Sequence, residues 1–270
     1  MMEPPVGELV LATREGSLGI ITLNRPERHN ALNNQMSAEL GAASKWAYGD
    51  SSIHAVLLRA EGPSFSSGRD TAQLGQREGG ESDLNFVRRA QDSRVAMLSA
   101  PKPILAAVQG YVLGGAFETA LAADIRIAAD DARFAFPEIE FGLLPDTGGT
   151  ALLTSLIGPS KTKWMVLSGE RIDAATALEW GIVDFVVPRA ELDETARSMA
   201  RRLAEAPPQA AAMGKQLIDQ AWQGTILNGL HAELLAQTAL FAGEEHATTK
   251  AARIEELKAA RARRSQGAEG

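Results

Sequence analysis

The 270-residue chain contains no cysteine. That excludes disulfides, thiolate metal sites and a cysteine nucleophile. Aromatic residues make up only 5% of the chain, so alanine-rich helices must supply much of the packing. Basic excess is also missing. Lys and Arg number 27 against 34 Asp and Glu, giving a formal net charge of −7, which argues against a nucleic-acid surface. The one basic cluster, Arg261 to Arg264, reads as a solvated helix end. No apolar run approaches the ~18 residues of a membrane span. Residues Met1 to Pro5 lack the basic-then-apolar order of a secretory signal. The expectation is a cytoplasmic protein without membrane or nucleic-acid partners.

What is present is the balance of a globular protein, with 45% hydrophobic and 23% charged residues. Leu9–Thr13 and Ile20–Leu23 read as a hairpin across Arg14–Ser17. A helix is expected from Asn33 or Asn34, either of which suits its cap. Strand Ala55–Arg59 follows, then a loop at 61–70, a Gly/Glu/Ser-rich stretch at 75–82 expected to be mobile, and a helix over Phe86–Leu98. Strand Ile104–Val108, helix Gly115–Ala122 and strand Ile125–Ala128 form a strand–helix–strand unit, which favours a parallel sheet. Helices are expected over 149–157, 160–168 and 174–180, then a strand over Val183–Val187. Beyond it the helical stretches are 191–205, 209–222, 225–242 and 247–263. A composition shift near residue 200 divides the chain into a core, 1–200, and a helical C-terminal subdomain, 201–270.

The chemistry concentrates between Lys102 and Thr150. A helix N-terminus carries N–H groups without internal partners and a partly positive dipole. At Gly114-Gly115 no side chain blocks an approaching atom, so the turn can receive an oxyanion or a phosphate. It also reads as a tight turn where helix packs on strand. The glycine spacing fits neither the dinucleotide fingerprint nor the P-loop. A second backbone donor is available in Phe65–Asp70, a sharp loop after a strand. Two such donors can hold a thioester oxygen as it becomes an enolate. Ser66 and Ser67 lack the surroundings of a nucleophile elbow.

Three acids accompany these turns. Glu118 lies one helical turn after Gly115, on the same face. Glu138 follows Pro137 among Phe134, Phe136 and Ile139, where burial would raise its pKa. Each alone reads as a surface acid; beside a donor pair they form an acid/base couple. Asp146 precedes Thr147–Thr150 at a helix start and reads either as a helix cap or as a catalytic acid. The four histidines, His29, His54, His231 and His246, show no metal-ligand spacing.

Taken in order, Ile21–Pro26, His29–Leu32, Phe65–Asp70, Lys102 through Gly115, Phe134 through Gly142, Pro145–Thr150, Leu167–Glu170 and Ala177–Val183 resemble the enoyl-CoA hydratase/isomerase (crotonase) family over essentially the whole chain. The resemblance implies an α/β fold, a spiral of ββα units followed by a helical trimerisation region. It implies an acyl-CoA substrate, no separate cofactor, no metal, and a homotrimer or dimer of trimers. It assigns the oxyanion hole to the backbone N–H groups of Arg69 and Gly115. Arg69 stands where the family commonly has a small residue. The two hydratase glutamates match Glu118 and Glu138. The implied substrate contacts come from Arg25, Arg28, Ala31, Ser67, Asp70, Thr71, Ala72, Tyr111 and Gly114, with Arg25 and Arg28 toward the phosphates. Asp146 departs from the best-known hydratases, which carry glycine there. An acid at that point keeps double-bond isomerisation and dehydration of a hydroxyacyl-CoA open beside hydration. A separate alternative is a non-catalytic member that binds acyl-CoA or RNA; the two glutamates argue against the first form and the acidic charge balance against the second.

Overall fold

A computed structural model describes residues 2–76, 79–206 and 208–220, with positions 238, 247, 250–251 and 254–259. The expected helix over 225–242, and most of that over 247–263, fall outside the described residues, as do positions 77 and 78 of the stretch expected to be mobile.

The chain opens with a hairpin of β1, Val10–Glu15, and β2, Leu18–Leu23. Glu15 pairs with Leu18, so the loop is the two residues Gly16-Ser17, and Gly16 takes the positive φ, 59°, that such a tight connection requires. Four further strands continue this sheet: β3, Ala55–Ala60; β4, Ile104–Val108; β6, Ile125–Ala129; and β9, Phe185–Val187. The order is β1-β2-β3-β4-β6-β9, antiparallel only at the hairpin. A smaller sheet holds β5, Tyr111–Leu113, β7, Arg133–Ala135, and β8, Ile172–Asp173.

The parallel strands are apolar without alternation because both faces of the sheet are covered. Leu18, Ile20, Leu57, Leu105 and Ile127 face helix α6, Leu192–Ala204. That helix offers Leu192, Ala196, Ala200 and Ala204, spaced at four residues along one ridge. The alternate residues, among them Ile21, Val56, Leu58, Ala106 and Val108, face the larger core. That core also receives α1, Asn34–Gly49, through Met36, Ala43, Trp46 and Ala47. Fully burying each large apolar side chain contributes roughly 1.5–3 kcal/mol.

Of the two candidate caps for α1, Asn33 is the one used: its side chain accepts from Met36 N at 2.7 Å. Helix α2 spans Asp83–Leu98 and starts three residues before Phe86, because Ser82 caps it through Asn85 N. Its first turn is polar, so hydrophobic spacing gave no sign of it. Helices α4, Gly149–Ser168, and α5, Ala174–Glu179, follow the expected pattern, and α4 breaks at Gly158-Pro159, where φ is 77°. Helix α7 spans Pro208–Gln220. Strand β9 is shorter than expected, since Ile182 and Val183 fill the core before the strand begins. Strands β5 and β7, three residues each, were too short to register as a period. Among the described residues no helix is long and apolar enough to cross a membrane.

Strand β5 positions the site. After β4 the chain leaves the main sheet at Gly110, where φ is 52° and a Cβ would lie 2.1 Å from Pro63 O. It joins β7 along β5 and then turns at Gly114 into α3, Gly115–Leu121, a buried helix.

Candidate active site

Two backbone segments meet at the start of α3. Ser66 forms a parallel bridge with Val112, and Leu113 N donates to Ser66 O at 3.1 Å. On its other side the 65–70 loop pairs with Leu32: Leu32 N donates to Gly68 O at 2.8 Å, and Asp70 N donates to Leu32 O at 3.0 Å. Extended backbone alternates the direction of its polar groups. The N–H of Arg69, between those two residues, therefore faces away from Leu32. Gly68 packs so closely on β5 that a Cβ would be 2.8 Å from Leu113 O. The Gly115 N–H, first in its helix, has no partner within that helix. The loop bearing Arg69 and the turn bearing Gly115 thus lie side by side. The Arg69 side chain runs off to Leu32 O and Asn34 Oδ1, beside the Phe86 ring.

Glu118 projects from the first turn of α3 and is buried, 1% exposed. Its carboxylate is clamped by the segment that opens α4. Oε1 accepts from Thr147 N and Gly149 N, both at 2.8 Å, and Oε2 accepts from Thr147 Oγ1 at 2.7 Å. Gly149 is required there, since a Cβ would fall 2.9 Å from Glu118 Oε1 and 2.8 Å from the Phe136 ring. Sequence reasoning read Thr147–Thr150 as a helix start and missed this clamp. The paired glycines were its only trace.

Glu138 sits in the 3-10 turn Pro137–Phe141. The residue as a whole is half-buried, but its Oε2 is sealed from solvent and has no hydrogen-bond partner among the described residues. Burial raises its pKa well above the ordinary glutamate value, and the like charges of Glu118 and Asp146 push the same way. Glu118 and Asp146 are thus both close enough to Glu138 for their charges to act on it. Gly114, at φ 55°, lies against Glu138: a Cβ there would be 2.5 Å from Oε1. The cap position of α4 belongs to Gly148, in left-handed conformation, and Asp146 lies two residues ahead of it. Of the two readings of Asp146, helix cap or catalytic acid, the first is corrected accordingly.

The remaining candidates lie on neighbouring loops. Arg25 Nη1 donates to Asp70 Oδ2 at 2.7 Å and to Ala31 O at 2.8 Å, tying the two loops together. Burial works against the Asp70 carboxylate, yet the hydrogen bond and charge of Arg25 hold its pKa below the ordinary value. Asp70 also caps the short turn Thr71–Gln73 through Ala72 N. Ser67 N donates to His29 O at 2.9 Å, and Arg28 is exposed. Tyr111 is flanked by the His29 ring, with centroids 5.4 Å apart, and by the Arg171 guanidinium at 5.5 Å. Arg171 was not singled out in the sequence.

A model of the enoyl-CoA hydratase/isomerase family matches residues 13–260. A probable enoyl-CoA hydratase of Mycobacterium bovis is 35% identical over 252 residues, covering 92% of this chain and 95% of that protein. A carnitinyl-CoA dehydratase of Escherichia coli is 37% identical over 213 residues, 78% of this chain and 80% of that protein. The crystal structure of an enoyl-CoA hydratase/isomerase from Xanthobacter autotrophicus superposes with a TM-score of 0.85 at 34% identity, covering 96% of this chain and 98% of that one.

Proposed function

The chain belongs to the enoyl-CoA hydratase/isomerase family, and from that premise we propose that it adds water across the 2,3 double bond of an enoyl-CoA thioester and catalyses the reverse dehydration. The observation that carries this reading is the contrast between two carboxyl groups in one site. Glu118 is held by three donors, and its carboxylate oxygens have fixed directions. Glu138 has its Oε2 sealed from solvent, and burial together with the like charges of Glu118 and Asp146 favours its protonated form. A carboxylate with fixed directions to orient the water, and a carboxyl group that keeps its proton to deliver to Cα, are what addition of water requires.

In the proposed reaction the thioester oxygen lies between the Arg69 and Gly115 N–H groups. Glu118 orients a water and takes its proton as the oxygen bonds to Cβ. The electron pair of the double bond moves to the thioester oxygen as an enolate, stabilised by the two N–H groups. Glu138 delivers a proton to Cα, and the enolate collapses. Coenzyme A is part of the substrate, with no further cofactor, and its contacts come from Arg25, Arg28, Ala31, Ser67, Asp70, Thr71, Ala72, Tyr111 and Gly114. The test is a panel of enoyl-CoA esters incubated in deuterated water and read by mass spectrometry. A gain of water with one deuterium on Cα supports hydration. Deuterium uptake without added water supports isomerisation instead, the reading that the position of Asp146 near Glu138 keeps in view.

We further propose a cytoplasmic homotrimer or dimer of trimers, with residues 1–200 as the acyl-CoA-binding core and 201–270 as a helical subdomain. The exposed side chains of Leu156, Trp164 and Leu167 along α4 favour self-association. Light scattering in solution measures the copy number.

A further inference from the structure

Helix α2 contributes no group to the chemistry proposed above, yet two of its polar side chains are buried against the active site. Gln91 is 6% exposed and Arg94 9%, and they lie one turn apart. Gln91 Nε2 donates to Asp146 O at 2.8 Å. Arg94 Nε donates to Thr147 O at 3.2 Å, and its Nη2 donates to Thr119 Oγ1 at 2.7 Å. The Thr119 hydroxyl in turn donates to Gly115 O at 2.8 Å.

These bonds have a specific relation to Glu118. Asp146 O and Thr147 N belong to the same peptide group. Gln91 therefore pulls on the carbonyl of the unit whose N–H donates to Glu118 Oε1, and hydrogen bonds at the two ends of a peptide reinforce each other. Arg94 holds the next carbonyl, so both peptide groups flanking Thr147 are gripped from α2. The second arm of the same guanidinium reaches the helix that carries Glu118, and through Thr119 it reaches the turn that carries the Gly115 amide. One planar fork thus fixes the clamp relative to the residue it clamps. A lysine offers a single point charge and cannot span both acceptors in the same way.

We propose that Arg94, assisted by Gln91, is a positioning residue for Glu118: it sets the register between the Asp146–Gly149 segment and α3, and so the direction in which the Glu118 carboxylate presents itself. The proposal rests on the hydratase reading for its catalytic consequence, but its structural content does not. A buried arginine with only a packing role would change thermal stability and leave the turnover of the folded enzyme intact.

The test compares wild type with Arg94→Met, Arg94→Lys and Gln91→Leu. Amide hydrogen exchange at Thr147 and Gly149 is measured together with kcat and KM for crotonyl-CoA. In Arg94→Met the two amides are expected to exchange at least about tenfold faster, reporting local opening of the clamp. Misplacement of a catalytic group by a distant change costs up to about 100-fold, so kcat is expected to fall about 10- to 100-fold with KM within about twofold. Arg94→Lys recovers part of kcat. Wild-type exchange at both amides, or a wild-type kcat, in Arg94→Met overturns the proposal. Should that variant not fold, Gln91→Leu carries the same readout at Thr147, where faster exchange supports the proposal and unchanged exchange refutes it. If wild type itself hydrates none of the enoyl-CoA panel, the hydratase reading fails separately, and the exchange rates alone decide whether Arg94 holds the clamp.

Discussion

Gly114 and Glu138 touch at a point where no side chain fits: a Cβ on Gly114 would stand 2.5 Å from Glu138 Oε1, and the Gly114 backbone has φ 55° and ψ −132°. Gly114→Ala therefore carries two penalties. The backbone conformation costs about 1–3 kcal/mol in a residue with a side chain. The methyl also displaces the Glu138 carboxyl from its sealed position. The expected outcome is a lowered thermal midpoint with a larger proportional loss of kcat, read by a melting curve and steady-state hydration of crotonyl-CoA. A variant that melts lower but turns over normally would separate Glu138 from the chemistry.

Glu138→Gln tests the same carboxyl through pH. Burial and the charges of Glu118 and Asp146 raise its pKa in the folded protein. The proton is thus bound more tightly folded than unfolded, and the stability this contributes is complete below the ordinary glutamate range. It is lost as pH rises through the folded pKa. Glutamine carries no such dependence. Relative to wild type, the variant is expected to gain thermal midpoint progressively as pH rises above the ordinary glutamate range, while hydration is abolished and acyl-CoA binding survives. A pH-independent difference in midpoint would contradict the raised pKa.

Thr147→Val removes one of three donors to Glu118 and leaves the two backbone N–H bonds in place. An unsatisfied buried acceptor costs roughly 1–3 kcal/mol, more if charged. The carboxylate is expected to rotate about its remaining partners, lowering kcat about tenfold, since about 1.4 kcal/mol in the barrier is a factor of ten. Thr147→Ser keeps the hydroxyl and is expected to restore turnover. Steady-state kinetics of the two variants, measured side by side, decide the point.

How far the chain could be read without coordinates follows from which interactions are local. The parallel sheet was legible because strands such as Leu57–Leu58 and Ile104–Val108 are buried on both faces and read as unbroken apolar runs. Gly115 and Glu118 were legible because three residues on one helix fix their proximity. The clamp on Glu118 was not, since Thr147 lies 29 residues away and reaches it only through the folded path of β6, β7 and the 3-10 turn. Arg94 was hidden for the same reason: its partners at 119 and 147 come from two other segments. Asp146 suited a helix cap by residue type, but the left-handed Gly148 takes that place.

Arg25 and Asp70 join the two loops proposed to receive coenzyme A, with side chains 16% and 19% exposed. Arg25→Met leaves the half-buried Asp70 charge without this partner, at an expected cost of about 1.5–3 kcal/mol near neutrality. The Asp70 pKa is depressed in the folded state, so the stability from this pair is present above the ordinary aspartate value and is lost as pH falls through the folded one. The difference in midpoint between wild type and variant should therefore shrink in acid. Because the loops lose their tie, KM for crotonyl-CoA is expected to rise more than kcat falls. Equal midpoints across the pH range would mean that the ion pair contributes nothing to the folded state.

Asp146→Asn removes one of the two like charges that raise the Glu138 pKa and alters little else in volume. Glu138 then gives up its proton at lower pH. If Glu138 supplies the proton to Cα, turnover declines as that group deprotonates, so the alkaline limb of the kcat profile is expected to move to lower pH in the variant. If Asp146 itself moves a proton along the acyl chain, Asn cannot replace it, and deuterium uptake without added water should disappear from the product while hydration persists. A profile superimposable on wild type, with unchanged deuterium incorporation, would remove Asp146 from both roles.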